Sequence, residues 1–168
     1  MTRPALFLLL LAGCVSRGVV VGGAAPAGVM ALRVLPCVDR TQTEGRDLGA
    51  EATAAFRAAL AASPAFRLDP SAEDELSCDV VSFLPGNAAK RLVFPGWGDA
   101  AAQVAAMIRD RRSGATRLIV AGNATLTLGG ALAPASIGAD RYILDTAVQE
   151  AVRKMVAWAR GQNAGAAR

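Results

Sequence analysis

AQVAAMIRDRRSGATRLIVA, residues 102–121, decides the fold. Ala102, Val104, Ala106 and Ile108 recur at every second position, with Gln103, Met107 and Arg109 between them. That alternation is the pattern of a strand with one buried face. Asp110-Arg111-Arg112-Ser113-Gly114 is a polar turn closed by glycine, and Thr116–Ala121 is a second apolar run. Two such runs about a short polar turn predict a β-hairpin. A hairpin with one apolar face needs something to cover it.

The cover is legible on both sides of the hairpin. C-terminal to it, Leu144, Val148, Ala151, Val152, Met155 and Trp158 or Ala159 fall on one helical stripe. Glu150, Arg153, Lys154 and Arg160 lie opposite, and Gly161 is a stop. Residues 162–168 read as a frayed tail. N-terminal to the hairpin, Leu48, Ala52, Ala55, Phe56, Ala59 and Leu60 form a second stripe within Leu48–Ala62, which Ser63-Pro64 ends.

More strands flank these helices. Leu76–Phe83 alternates at first, with Leu76, Cys78 and Val80 on one side and Ser77 and Asp79 on the other. Leu84-Pro85-Gly86-Asn87 is turn chemistry, and Arg91–Phe94 is a candidate extension beyond it. Phe66–Leu68 is a short strand. Val29–Val38 is apolar on both faces, which predicts a central strand. Gly122–Gly138 is rich in glycine and alanine and has no assignable period. The order predicts a two-layer α/β (α+β) domain over residues 29–161. Its sheet is mixed or mostly antiparallel, with four to five strands covered by two helices.

The chain's 168 residues suit one such domain. Hydrophobic residues make up 53%, but aromatics only 5%, so the core is built from Ala, Val and Leu. Modest stability follows from the smaller buried area per residue. The formal charge of +4 is a mild, dispersed excess with no dense Lys/Arg cluster, and no nucleic-acid partner is expected. Histidine is absent, which removes the commonest general base and metal ligand.

The first residues carry an address. Arg3 precedes the apolar run Ala5–Leu11, which is shorter than the roughly 20 residues of a spanning helix. The run has the length of a signal-peptide core. It ends in Leu11-Ala12-Gly13-Cys14, which resembles the bacterial lipobox. That resemblance implies cleavage of residues 1–13 and a diacylglycerol and N-acyl lipid on Cys14, with no other cofactor. Several acyl chains give stable anchoring, at about 0.8 kcal/mol per buried methylene. Val15, in place of Asp after the cysteine, favours the outer membrane facing the periplasm under the sorting rule of enteric lipoproteins. Residues 14–28, rich in Gly, Ala and Val and with Pro26, read as a flexible tether.

Two cysteines remain, Cys37 and Cys78, in or beside strands. In an oxidising compartment they form either a disulfide or two small buried thiols. Two thiols without histidine do not make the usual zinc set, so no metal is expected. Gly96-Trp97-Gly98-Asp99 is a candidate partner-contact loop, in which Trp97 either anchors a partner or covers the core edge in a turn. Asp39, Arg40, Glu44, Arg46 and Asp47 read as a solvated charged loop. Gly129-Gly130 lacks the Lys-Ser/Thr ending of a phosphate loop. No G-x-S-x-G elbow occurs, and no catalytic residues are assigned.

Pro85-Gly86-Asn87, Arg91, Gly96-Trp97-Gly98, Asp110 and Ser113-Gly114, in that order, resemble an uncharacterised bacterial lipoprotein family, domain of unknown function 4410. The resemblance runs from about Met30 to Arg160. Ala100 stands where the family often has a third glycine, Ser113 where it has threonine, and Asp99 where it has a small residue. The implied fold is similar to the small α/β domains of lipoproteins in curli secretion and in activation of peptidoglycan synthesis. Those are mostly assembly or docking modules. The expectation is therefore a lipid-anchored envelope lipoprotein that is not an enzyme. Its partners are the membrane and other envelope proteins, and its oligomeric state is open. The alternative is a periplasm-facing protein that binds a small molecule or lipid.

Overall fold

The structure is a computed structural model and describes residues 21–23, 28–85, 100–126 and 139–161. In chain order its elements are β1 (Val21–Gly22), β2 (Met30–Val34), β3 (Val38–Asp39), α1 (Leu48–Ala61) and β4 (Phe66–Leu68). Then come β5 (Asp74–Leu84), β6 (Ala100–Asp110), β7 (Thr116–Leu126) and α2 (Ala139–Ala159). Among the described residues the sheet has seven strands in the order β1-β7-β6-β5-β2-β4, with β3 also on β5. It is mixed. β2 runs parallel to β4 and β5, β3 is parallel to β5, and β5, β6, β7 and β1 alternate in direction. Two described helices cover one face, so the two-layer α/β architecture expected from the sequence is present, with two very short strands beyond the number expected among the described residues.

The hairpin of residues 102–121 is β6 and β7, and it is longer than its central pattern suggests. β7 continues through Gly122 to Leu126, five residues into the segment without a period. There the core-facing positions are Gly122 and Ala124, too small to mark a face in a hydropathy pattern. They are small because α2 lies directly on them. A Cβ built on Gly122 would fall within the radius of the Ala147 carbonyl oxygen and 2.8 Å from the amide of Ala151. Ala102 and Ala106 on β6 are buried in the same layer.

β2 is an interior strand, between β4 and β5, but it is shorter than the apolar run that predicts it. Pro36 interrupts the run, and Val38–Asp39 pairs separately with β5. β5 explains why its alternation is lost after Val80. The ladder to β6 shifts register between Val80 and Ser82, leaving Val81 44% exposed. The bulge places Phe83, opposite the buried Ala102, on the core side of the sheet.

α1 starts where Asp47 accepts the amide of Ala50 at 2.8 Å, an N-cap bond. Its buried stripe is Leu48, Ala52, Phe56 and Leu60. α2 buries Leu144, Val148, Ala151, Met155 and Trp158 on the same core. It stops at Gly161, whose φ of 69° suits glycine. Full burial of each Leu or Phe contributes on the order of 1.5–3 kcal/mol.

The tether expected over residues 14–28 is not free along its whole length. Val21 and Gly22 pair with Ile119 and Leu118 as β1, and the amide of Gly23 donates to Arg117 O at 2.9 Å. The structured domain therefore begins before Val29.

Candidate functional site

Cys14 and the loop Gly96-Trp97-Gly98-Asp99 lie outside the described residues, as do Gly86, Asn87, Arg91 and Gly129-Gly130. Cys37 and Cys78 lie within them and are joined, sulfur to sulfur, with Cα atoms 4.6 Å apart. The bond ties the chain just before β3 to the middle of β5. Cys37 is held from the helix side as well. Its amide donates to Thr53 Oγ1 at 2.8 Å, and that hydroxyl donates to Gly49 O at 2.7 Å.

The charged loop after β3 is occupied with its own structure. Asp39 Oδ1 accepts the amide and hydroxyl of Thr41, both at 2.7 Å. Arg40 faces Asp79, Arg46 makes a paired contact with Glu51, and Asp47 caps α1. Arg46 also lies over the Phe83 ring, 5.0 Å from its centroid. These groups shape a turn. Among the described residues no set of His, Cys, Asp or Glu is grouped to hold a metal ion.

A denser charge network lies at the opposite end of the sheet and was not foreseen, because it joins residues far apart in sequence. Arg117 contacts Asp74 at 2.6 Å and Asp110 at 2.7 Å. Arg112 reaches Glu73 at 2.5 Å, while Arg33 and Arg111 both reach Glu75. Burial pushes the Asp74 carboxyl up despite Arg117, and Asp110 nearby adds to the rise. The amide of Ser113 and the guanidinium of Arg117 pull Asp110 down to about 2. Arg117 thus ties the start of β5 to the β6–β7 turn. This is the chemistry of a fastened corner, with each acid facing a base.

A second unforeseen arrangement closes the outer edge of β7. β1 covers only Leu118 and Ile119. Further along, Lys154 Nζ donates to Ala121 O at 2.7 Å and Glu150 Oε2 accepts the amide of Asn123 at 2.5 Å. The two side chains pair with each other at 2.9 Å. One i,i+4 ion pair on α2 thereby occupies a donor and an acceptor of an edge strand. Burial pushes the Glu150 carboxyl up, but Lys154 and the Asn123 amide outweigh it and hold it below its ordinary value.

Among the described residues, two surfaces can take a ligand or a partner. The first is a groove of about 430 Å³ at the ends of β2 and β4, lined by residues that include Leu32, Val34, Pro36, Arg57, Leu68 and Asp69. The second is the sheet face away from the helices, over which no described element lies. Ser77, Met107 and Ile119 form one row across β5, β6 and β7, and Asp79, Ala105 and Ala121 form the next. Small residues such as Ser77, Ala105 and Ala121 stand on it among longer ones, and Ile119 is 41% exposed. No described helix is long and apolar enough to cross a membrane.

No family model and no curated protein matches this chain. Solved structures do share its fold. A PelC dodecamer from Paraburkholderia phytofirmans is 17% identical, with a TM-score of 0.58 over 84% of this chain and 96% of that one. A DUF330 protein from Xanthomonas campestris is 11% identical, with a TM-score of 0.55 over 84% and 95%. A hypothetical protein from Chlamydia trachomatis is 14% identical, with a TM-score of 0.52 over 79% and 99%. At these identities the likeness is one of fold.

Proposed function

We propose that this chain is a lipid-anchored envelope lipoprotein whose domain is a non-catalytic assembly module. The lipid is carried by Cys14, at the outer membrane facing the periplasm, and residues 1–13 are the signal that is removed. The order of Pro85-Gly86-Asn87, Arg91, Gly96-Trp97-Gly98 and Ser113-Gly114 supports membership in the uncharacterised lipoprotein family it resembles. The observation that carries the assembly reading is the sheet face over which no described element lies. An open sheet surface, with Ser77, Ala105 and Ala121 beside the apolar Met107 and Ile119 and no cleft between strands, suits a protein partner better than a small molecule. Copies of this chain are the first partner to consider, since one structure of the same fold is a dodecamer. Trp97 is a candidate second contact.

The test begins with membranes solubilised in mild detergent and the mass of the purified particle. The expected result is an assembly of several copies for the wild type. It breaks down when Ala105→Arg puts a long cation on the bare face and weakens with Trp97→Ala. Cys14→Ser is expected in the soluble fraction. A wild-type monomer without partners, unchanged by Ala105→Arg, would overturn the assembly reading. Cys14→Ser protein that stays on the membrane would overturn the anchor.

The groove beside Arg57 supports a second reading, a site for a small or lipidic ligand. Its lining joins apolar residues to two arginines, Arg33 and Arg57, as an amphipathic anion requires. Saturable binding of a fatty acid that Arg57→Ala abolishes would favour it over assembly.

A further inference from the structure

β2, α1 and β4 form a β-α-β unit whose two strands run parallel. The groove of about 430 Å³ lies at the carboxyl ends of those strands, where open α/β sheets take their ligands. β4 stops short of its neighbour there. It pairs with Met30, Ala31 and Leu32 of β2, and a final bond runs from the amide of Asp69 to Leu32 O at 3.0 Å. Val34 is the next residue of β2 to turn its main chain to that side, because Leu35 donates to Leu76 O on β5. Among the described residues, the edge of β2 at Val34 thus borders the groove rather than a strand. Pro36 and Pro70, which have no N–H to extend a ladder, line the groove as well.

The charges that line the groove are not equally committed. Arg33 pairs with Glu75 at 3.3 Å. Asp69 accepts the amide and hydroxyl of Ser71, at 2.9 and 2.6 Å, and faces Arg67 at 3.7 Å. Arg57 pairs with no described carboxylate. Its guanidinium donates to Val34 O over 3.4 Å, a long bond to the same edge that β4 leaves open. An uncommitted cation therefore stands at an open rung of the sheet, beside Leu35, Leu68 and Pro70.

From these we infer that the groove holds the C-terminal end of an extended peptide. The terminal carboxylate sits on Arg57, an apolar last residue lies against Leu68 and the prolines, and the peptide main chain runs beside Val34. This combines strand addition with capture of a carboxylate. A fatty acid would use the cation and the apolar walls but would leave the edge at Val34 unpaired. The size agrees, since 430 Å³ is the space of on the order of fourteen waters at about 30 Å³ each, close to the bulk of two residues. The inference rests on the assembly reading proposed above and deepens it, by naming the part of a protein partner that the domain holds.

The test uses the purified full chain and two short fluorescent peptides ending in valine and leucine, one with a free C-terminal carboxylate and one amidated. Binding is read by anisotropy. The free acid is expected to bind saturably and about tenfold more tightly than the amide, the worth of one charge-assisted bond. Arg57→Gln, at an exposed position, is expected to keep the fold and to bind acid and amide alike. Arg67→Gln, which removes an exposed arginine outside the groove, is expected to keep the preference. Methylating the last peptide nitrogen of the acid probe is expected to weaken it several-fold, because a strand bond is blocked.

Acid and amide that bind alike to the wild type, or an acid preference that survives Arg57→Gln, overturn the carboxylate site. Binding indifferent to the methyl group overturns the strand pairing. Dodecanoate that binds through Arg57 where neither peptide does assigns the groove to a small ligand and overturns the inference. The mass of the particle is read in the same samples. A monomer that still prefers the acid sinks self-assembly alone, whereas an assembly indifferent to the carboxylate sinks this inference alone.

Discussion

Gly122 faces the backbone of Ala147 so closely that the strand and the helix leave no room for a methyl group between them. The neighbours are main-chain atoms of α2, which cannot rotate aside as a side chain would. Gly122→Ala is therefore expected to lift α2 from β7 and to cost on the order of 1–3 kcal/mol or more. A urea melt reads this as a lower midpoint. An unchanged midpoint would show that α2 does not sit where it is described.

Thr53 is the one buried polar residue among those described, and its hydroxyl is used twice. Thr53→Val keeps the shape but leaves the amide of Cys37 without a partner, a loss of about 1–3 kcal/mol. Thr53→Ser keeps the hydroxyl and should retain most of the stability. If the valine and serine variants melt together, the hydroxyl relay contributes nothing.

The bond between Cys37 and Cys78 closes a loop of 41 residues that contains α1 and β4. In the loop-entropy treatment such a link is worth up to about 4 kcal/mol. Protein isolated and denatured without reductant should show no free thiol at either position. Replacing both cysteines by alanine should lower the unfolding midpoint markedly. Two titratable thiols in the native preparation would mean that the pair is reduced in the cell.

The periodic elements were legible in the sequence because their signals are local. Hairpin and helices follow from spacing, and Leu76–Phe83 was found although Asp74, Glu75 and Leu84 also belong to its strand. What stayed hidden depends on distant partners. Nothing in Val21-Gly22 announces a strand, since two residues cannot show a period and the partner lies about a hundred positions away. Glu150 and Lys154 could be placed on the polar side of a helix, but the open edge they cap could not. Trp158 was placed on the apolar stripe, while the use of its N–H depended on knowing where Gly23 lies. Arg117 likewise read as a strand residue, with no sign that Asp74 would meet it.

The Glu150–Lys154 pair makes an edge prediction. Glu150→Ala leaves the Asn123 amide open on the free side of β7, and Lys154→Ala does the same for the Ala121 carbonyl. Each should cost on the order of 1–3 kcal/mol, because both bonds are charge-assisted and half-buried. The double variant should in addition expose a strand edge to pairing and aggregate at concentrations where the wild type stays soluble. Light scattering against concentration checks this, and equal solubility would mean that the edge is guarded by something else.

The corner built on Arg117 should make acid stability depend on two carboxylates with opposite signs. Asp110 is held at about 2, below its ordinary 3.8, by the Ser113 amide and Arg117. A depressed folded value means that its contribution is fully present above 3.8 and is lost as the pH falls toward 2. Asp74 behaves in the reverse way. Burial raises its folded value, so the folded chain takes up that proton before the unfolded chain does, and acidification from neutral pH favours folding until Asp74 is protonated. Asp69 and Glu150 are also held low and lose stability in acid along with Asp110, so the wild-type curve alone does not isolate the corner. Comparison with Asp110→Asn does. Its amide oxygen can still accept the turn amides of Arg112 and Ser113, so the turn is kept while the charge facing Arg117 goes. Urea midpoints from pH 6 to pH 2 should show the wild type ahead of Asp110→Asn above 3.8, with the gap closing toward pH 2. Asp74→Asn should instead gain on the wild type at neutral pH, because burial outweighs the pairing with Arg117. A gap between wild type and Asp110→Asn that stays constant across the range would mean that Asp110 titrates alike in the folded and unfolded chains, and that Arg117 does not hold the corner by charge.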